Sequence, residues 1–277
     1  MRFRLSVTGK EGRNRAAVAV SLIGAAALCA AAVWFTLLGS EKSGSGGDKS
    51  AGRYVYMEAE ASNGMRLHAL AVDPSRITLE TVNANVTKTP YYGVNGGFFY
   101  GKDLLSIAMV DGKPVNGQLG AYGSGSSNVK YARGTLVWDG GAGRLDVQVV
   151  KDQAELELTD RTRFWAQGGI SMSIGRDDDT WRAQAELEGA PFPDDERLRS
   201  AAVYDDAGQL YLIVSGTKGT LAAFREAIIE KIGNGRLAGG IFLDGDGSSQ
   251  LRSGERALAG DGRSVVQMMR LTGDAEE

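Results

Sequence analysis

Two short glycine-bearing clusters hold the residues of this chain most suited to chemistry. The first is Val94-Asn95-Gly96-Gly97-Phe98-Phe99, and the second is Phe242-Leu243-Asp244-Gly245-Asp246-Gly247-Ser248-Ser249-Gln250. Each sets a polar side chain (Asn95, Asp244) at the end of an apolar run, next to glycines. Glycines let a ligand approach the backbone closely, and turns of this kind can aim N–H groups at an anion. A carboxylate in such a turn can serve as base, nucleophile or electrostatic partner of a developing cation. Either cluster alone reads as a turn; two of them, in order and on strand ends, point to a shared site.

Other chemistries lack their residues. His68 is the single histidine and Cys29 the single cysteine, so a multi-histidine zinc site and a Cys-His dyad are excluded. A Ser-His-Asp triad would need His68, and no nucleophile-elbow sequence accompanies it. His68 alternates with Leu67 and Ala69, which places it on the polar side of a strand in a structural or surface role. Asp244, Asp246, Ser248 and Glu255 fall at positions 1, 3, 5 and 12 of a calcium-loop pattern. Ser249 stands where that loop needs glycine, and a strand precedes it instead of a helix. The acidic run Asp177-Asp178-Asp179 reads as a solvated loop.

Short strands must carry the two clusters. Arg53–Glu60 and Met65–Val72 alternate around Asn63-Gly64, a strong hairpin signal. Arg76–Val82 reads as a third strand. Tyr131–Trp138 with Leu145–Val150, and Arg199–Tyr204 with Gln209–Val214, read as two further hairpins. One helix is expected, Leu221–Ile232, with Leu221, Phe224, Ile228 and Ile232 on one face, Thr220 as cap and Gly233 as stop. A buried strand, Ala238–Leu243, follows it, and Ser264–Leu271 is the last strand. The expected fold class is α+β, with mixed or antiparallel sheets and few helices.

The 277 residues are 43% hydrophobic and 23% charged, and contain 39 glycines but 5 prolines, a composition of tight turns rather than proline-rich disorder. Residues 1–15 carry five basic side chains against Glu11, a net of +4, so the remainder carries −7. An acidic body without a basic face argues against nucleic acid as a partner. Ala16–Gly39 is a run of 24 residues without a charge. As a helix it would span about 36 Å, enough for a hydrocarbon core of about 30 Å. It is longer than the apolar region of a signal peptide, and Trp34, Phe35, Leu37 and Leu38 fill its far end. The expected organisation is a basic cytoplasmic N-terminus (1–15), a transmembrane signal-anchor (16–39), a Gly/Ser tether (40–52) and a single extracytoplasmic domain (53–277).

The pair "NGGFF" and "LDGDGSS" resembles the phosphodiester glycosidase family, over roughly Tyr54 to Leu271. Ile107–Val115, Gln167-Gly168-Gly169-Ile170, Arg199-Ser200-Ala201 and Gly262-Arg263-Ser264 resemble its intermediate landmarks. The resemblance implies a hydrolase that cleaves a sugar-1-phosphodiester in cell-envelope or exported polysaccharide, needing no cofactor. Asp244, Asn95 and Arg199 would be its catalytic residues. Gly96, Gly97, Phe98, Gly245, Asp246, Gly247, Ser248, Ser249 and Arg263 would bind substrate. Asn95 would hold sugar hydroxyls, Arg199 and Arg263 phosphate oxygens, and Ser248 and Ser249 would add donors. A glycosyl phosphate leaves as a stable anion, so one carboxylate can suffice where glycosidases commonly use two. The family usually has glycine where this chain has Asp246, whose carboxylate would alter charge preference or attract a divalent cation. The other reading is a non-catalytic extracytoplasmic module that binds glycan or phosphate.

Overall fold

The computed structural model describes residues 53–273. The expected N-terminus (1–15), span (16–39) and tether (40–52) lie outside the described residues. No helix among the described residues is long and apolar enough to cross a membrane.

Among the described residues, three larger antiparallel sheets, a two-stranded ribbon (Phe99–Tyr100 with Asp103–Leu104) and two α-helices build this body. The largest sheet runs, in spatial order, Val55–Glu60, Arg66–Val72, Leu210–Ser215, Ser200–Asp205, Leu237–Phe242 and Ile170–Ser171. The second runs Arg144–Val150, Arg133–Asp139, Phe164–Gly168, Ala108–Val110 and Lys113–Pro114. The third runs Ala257–Leu258, Leu251–Arg252, Gly93–Asn95, Val265–Leu271 and Ile77–Ala84. The expected hairpins are present, each with one fixed register: Val55 opposite Ala71, Arg144 opposite Asp139, and Ser200 opposite Val214.

The six-stranded sheet is covered on both faces. Leu70, Val72, Ala202, Leu212, Val214 and Ile241 point into one core, shared with Leu79, Val94 and Met269 of the third sheet and Leu136 and Trp165 of the second. Their sequence neighbours Leu67, Ala69, Ala201, Val203 and Ile213 point the other way, into a second core closed by the helices. Successive side chains alternate sides of a strand, so a strand buried on both faces must be apolar throughout. This accounts for the unbroken run Leu210-Tyr211-Leu212-Ile213-Val214.

The same double coverage corrects the reading of His68. The Arg66–Val72 strand has no polar side, and His68 is fully buried, its Nδ1 2.8 Å from the Tyr56 hydroxyl. Burial pushes its pKa down, although the Glu58 carboxylate opposes the shift.

Helix α1 is Asp178–Leu187, and it too departs from the sequence reading. The acidic run is a helix start: the Asp177 carboxylate accepts from the Thr180 N–H at 2.9 Å, and Asp178 and Asp179 occupy the first turn, where the helix dipole favours negative charge. Trp181 and Ala185, one turn apart, are its buried residues. Helix α2, Leu221–Lys231, lies where the spacing predicts it, capped by Thr220 and followed by Gly233 at φ 70°.

Candidate active site

The two glycine-bearing clusters meet, although different sheets carry them. The Leu237–Phe242 strand of the six-stranded sheet runs out into Leu243 and Asp244; the Gly93–Asn95 strand of the third sheet runs out into Gly96. Two hydrogen bonds join the ends. The Asp244 N–H donates to the Gly96 carbonyl at 3.2 Å, and Asn95 Nδ2 donates to the Asp244 carbonyl at 2.8 Å.

Asn95 is buried, and its amide is spent on this junction. Nδ2 also donates to the Gly96 carbonyl, while Oδ1 accepts from the Ser200 hydroxyl at 2.8 Å and from the Gln250 N–H at 3.1 Å. A side-chain amide offers two donors and two acceptor positions, and all four are taken. The expected contact with a sugar hydroxyl has no position left to make it. Gly96 and Gly97 have a similar role. Their N–H groups donate to Gln267, and a Cβ on Gly97 would lie 2.6 Å from the Gly168 carbonyl oxygen. These glycines let two sheets approach, and their N–H groups are not turned toward a ligand.

Beside this junction opens a cavity of about 290 Å³, at the lower end of the range of small-molecule pockets, ~300–1,000 Å³. Its lining combines the apolar side chains of Phe98, Ile170, Phe192, Leu221 and Phe242 with the polar or charged ones of Arg197, Arg199, Ser200, Asp244, Asp246 and Arg263. Two roomier grooves, about 460 and 430 Å³, border the helices and include none of the motif residues. Among the expected site residues, Phe98, Arg199, Asp244, Gly245, Asp246 and Arg263 therefore line one cavity. Asn95, Gly96, Gly97, Gly247, Ser248 and Ser249 stand behind the wall.

Asp244 has the most perturbed carboxyl group of the site. Burial lifts its pKa from an ordinary 3.8 to about 6. The Ser248 hydroxyl, the Gly245 N–H and the Arg263 charge pull the other way, and Asp246 adds to the rise. Ser248 is thus directed at Asp244 rather than into the cavity, and Ser249 is buried with its hydroxyl unpartnered among the described residues. Gly247 is tight against the wall: a Cβ there would lie 2.2 Å from an Asp261 carboxylate oxygen and 2.6 Å from Arg263 Nε.

The arginines differ in how their charge is met. Arg263 is half exposed and chelated by Asp261 through Nε, at 3.0 and 2.9 Å to the two carboxylate oxygens, and through Nη2 at 2.5 Å. Arg199 is buried and donates to main-chain carbonyls, Gly219 at 3.1 Å, Phe192 at 2.8 Å and Asp195 at 2.6 Å. Burial holds its pKa down, and the neighbouring Arg197 charge adds to the shift. Arg199 therefore both borders the cavity and clamps the 191–197 loop.

That loop is the part of the site the sequence reading missed. The Leu221 N–H, in the first turn of α2, donates to the Pro193 carbonyl at 2.8 Å. Phe192 has a left-handed backbone, φ 48°, and its ring lies 4.0 Å from the Arg197 guanidinium carbon. Arg197 Nη1 donates to Asp246 Oδ2 at 2.9 Å, and Nη2 to Asp195 Oδ2 at 2.8 Å. The signal for this loop was Pro191-Phe192-Pro193 followed by three acidic residues and then Arg197 and Arg199, which by itself names no chemistry. Asp246 has φ 56°, in the left-handed region that glycine takes most freely. Its carboxylate serves Arg197, and among the described residues no group of three or more His, Cys, Asp or Glu side chains could hold a metal ion.

No protein-family model matches the chain, and no curated protein matches it. Among solved structures, a hypothetical protein from Synechocystis aligns with TM-score 0.41 and 14% identity, over 78% of this chain and 61% of that one. The catalytic domain of zebrafish N-acetylglucosamine-1-phosphodiester alpha-N-acetylglucosaminidase, auto-inhibited by its pro-peptide, aligns with TM-score 0.51 and 14% identity, over 79% of this chain and 82% of that one. The body of this chain shares the fold of that domain.

Proposed function

We propose that the chain hydrolyses a glycosyl phosphodiester, with Asp244 as the reacting carboxylate. One observation carries this reading: a carboxyl group with a pKa of about 6 borders a cavity lined by both guanidinium groups and apolar side chains. A base works best with a pKa near the working pH, and at neutral pH this carboxylate is mostly ionised yet basic. Asp244 would activate water, or attack the anomeric carbon and be released by water. Arg199 and Arg263 would hold the phosphate, which departs already anionic and so needs charge stabilisation more than a proton. Phe98, Leu221 and Phe242 would pack against the sugar face or the aglycone. Asn95, Gly96 and Gly97 would position Asp244. The fold shared with a phosphodiester-cleaving catalytic domain adds support. The apolar run 16–39 fits delivery of this body to the extracytoplasmic side, where exported or envelope polysaccharide would be its substrate.

The test is turnover of a chromogenic sugar-1-phosphodiester by the wild type and by Asp244→Asn. The reading expects kcat/KM to rise with pH through about 6 and then level, and the variant to lose about 10³-fold or more. Binding without release in the wild type would select the glycan- or phosphate-binding module instead.

A further inference from the structure

Three guanidinium groups line the cleft, yet they leave it no surplus of positive charge. Arg197 lies between Asp195 and Asp246, Arg263 is chelated by Asp261, and Arg199 is bound by main-chain carbonyls. With Asp244 ionised, Arg197, Arg199 and Arg263 stand against Asp195, Asp244, Asp246 and Asp261. With Asp244 protonated the two signs balance. A phosphodiester brings one negative charge to this setting; a phosphomonoester brings close to two at neutral pH, because its second pKa is about 6. The second charge would face Asp246, the other carboxylate on the cavity wall, whose side chain is 45% exposed.

The backbone does not call for a carboxylate at this position. At φ 56° glycine is the least strained residue, and aspartate is accommodated at some conformational cost. What the side chain adds is its bond to Arg197 and its charge. We propose that Asp246, by occupying Arg197, makes the cleft select singly charged phosphate esters and reject doubly charged ones. The inference rests on reading the cleft as a phosphate-ester site. It also gives Asp246 a role in turnover. Water added across either ester bond of a phosphodiester yields one alcohol and one phosphomonoester. The monoester loses a further proton to solvent near neutral pH and becomes the dianion. The same carboxylate that tolerates the substrate thus repels the product.

The probes are phenyl phosphate and methyl phenyl phosphate, nearly equal in shape and differing by one charge at about pH 8. Their ring suits the wall of Phe98, Leu221 and Phe242. Each is titrated by NMR into the full wild-type chain, Asp246→Asn and Asp246→Gly; asparagine and glycine both accept a left-handed backbone, so the turn is kept. The wild type is expected to bind the diester at least about tenfold more tightly than the monoester, and both variants to bring the ratio within about threefold, chiefly by tightening the monoester. If both esters bind and the ratio is the same in all three proteins, the role of Asp246 is overturned while the phosphate-ester reading of the cleft stands. If neither ester binds the wild type, that reading fails and the role of Asp246 fails with it.

Discussion

Replacing Asp244 by asparagine should make the protein more stable while removing the proposed reacting group. In the folded chain the carboxyl has a pKa of about 6, and in the unfolded chain it returns to about 3.8. Between these values the folded state binds more protons than the unfolded state, so stability falls as pH rises through this window. Above about 6 the loss is complete, and the ionised wild type carries the full cost of a charge in a poorly hydrated wall. Two pKa units at about 1.4 kcal/mol each set an upper limit of about 3 kcal/mol, and solvent entering the cleft brings the expected range to about 1–3 kcal/mol. Asparagine keeps an oxygen to accept from Ser248 and from the Gly245 N–H but carries no charge. For a body of this size the gain is a rise of about 2–4 °C in Tm per kcal/mol. The assay is a series of thermal melts of both proteins from acid to slightly alkaline pH. The curves should coincide below the unfolded-state value, separate between about 4 and 6, and stay apart above it. A variant as labile as the wild type at neutral pH, or one whose advantage appears only in acid, would refute the desolvation account of Asp244.

Three further outcomes follow from the contacts. Arg199→Met leaves the carbonyls of Phe192, Asp195 and Gly219 without their donor; it should cost about 2–4 kcal/mol by chemical denaturation and raise KM more than it lowers kcat. Asn95→Asp sets an acceptor against the Asp244 and Gly96 carbonyls; it should destabilise by about 2–4 kcal/mol at neutral pH, whereas a surface role for Asn95 would leave stability unchanged. Asp177→Ala removes the cap of α1 and should cost about 1 kcal/mol, read as a lower Tm with little change in turnover.

Local chemistry made much of this fold legible. Asn63-Gly64 between alternating runs predicts a hairpin, and the structure pairs Glu60 with Arg66 around a loop of residues 61–65 in which Gly64 takes the positive φ, 80°. Leu221, Phe224 and Ile228 predict α2 because their spacing makes one face. Tertiary surroundings decided what was missed. His68 lies on a strand with covered faces, which alternation along one strand cannot show. Asp177 to Asp179 carry charges suited both to a loop and to a helix start, and the burial of Trp181 selects the helix. In the site, the meeting of the two clusters was legible from their order and glycine content. The division of labour was not. Asn95 and Ser248 look like ligand-binding groups in sequence but spend their polar atoms on the wall, while Arg197 belongs to no motif and reaches the cleft by way of Asp246.

The cleft is a seam between layers: one sheet brings Asp244, another brings Asn95 and Gly96, and over the apolar core the two share, main-chain and amide bonds join them at the site. Neither layer contains the pocket by itself. A chain with its hairpins formed but its layers undocked has strands without this pocket. If the proposed activity is present, it should therefore appear only once these layers have docked.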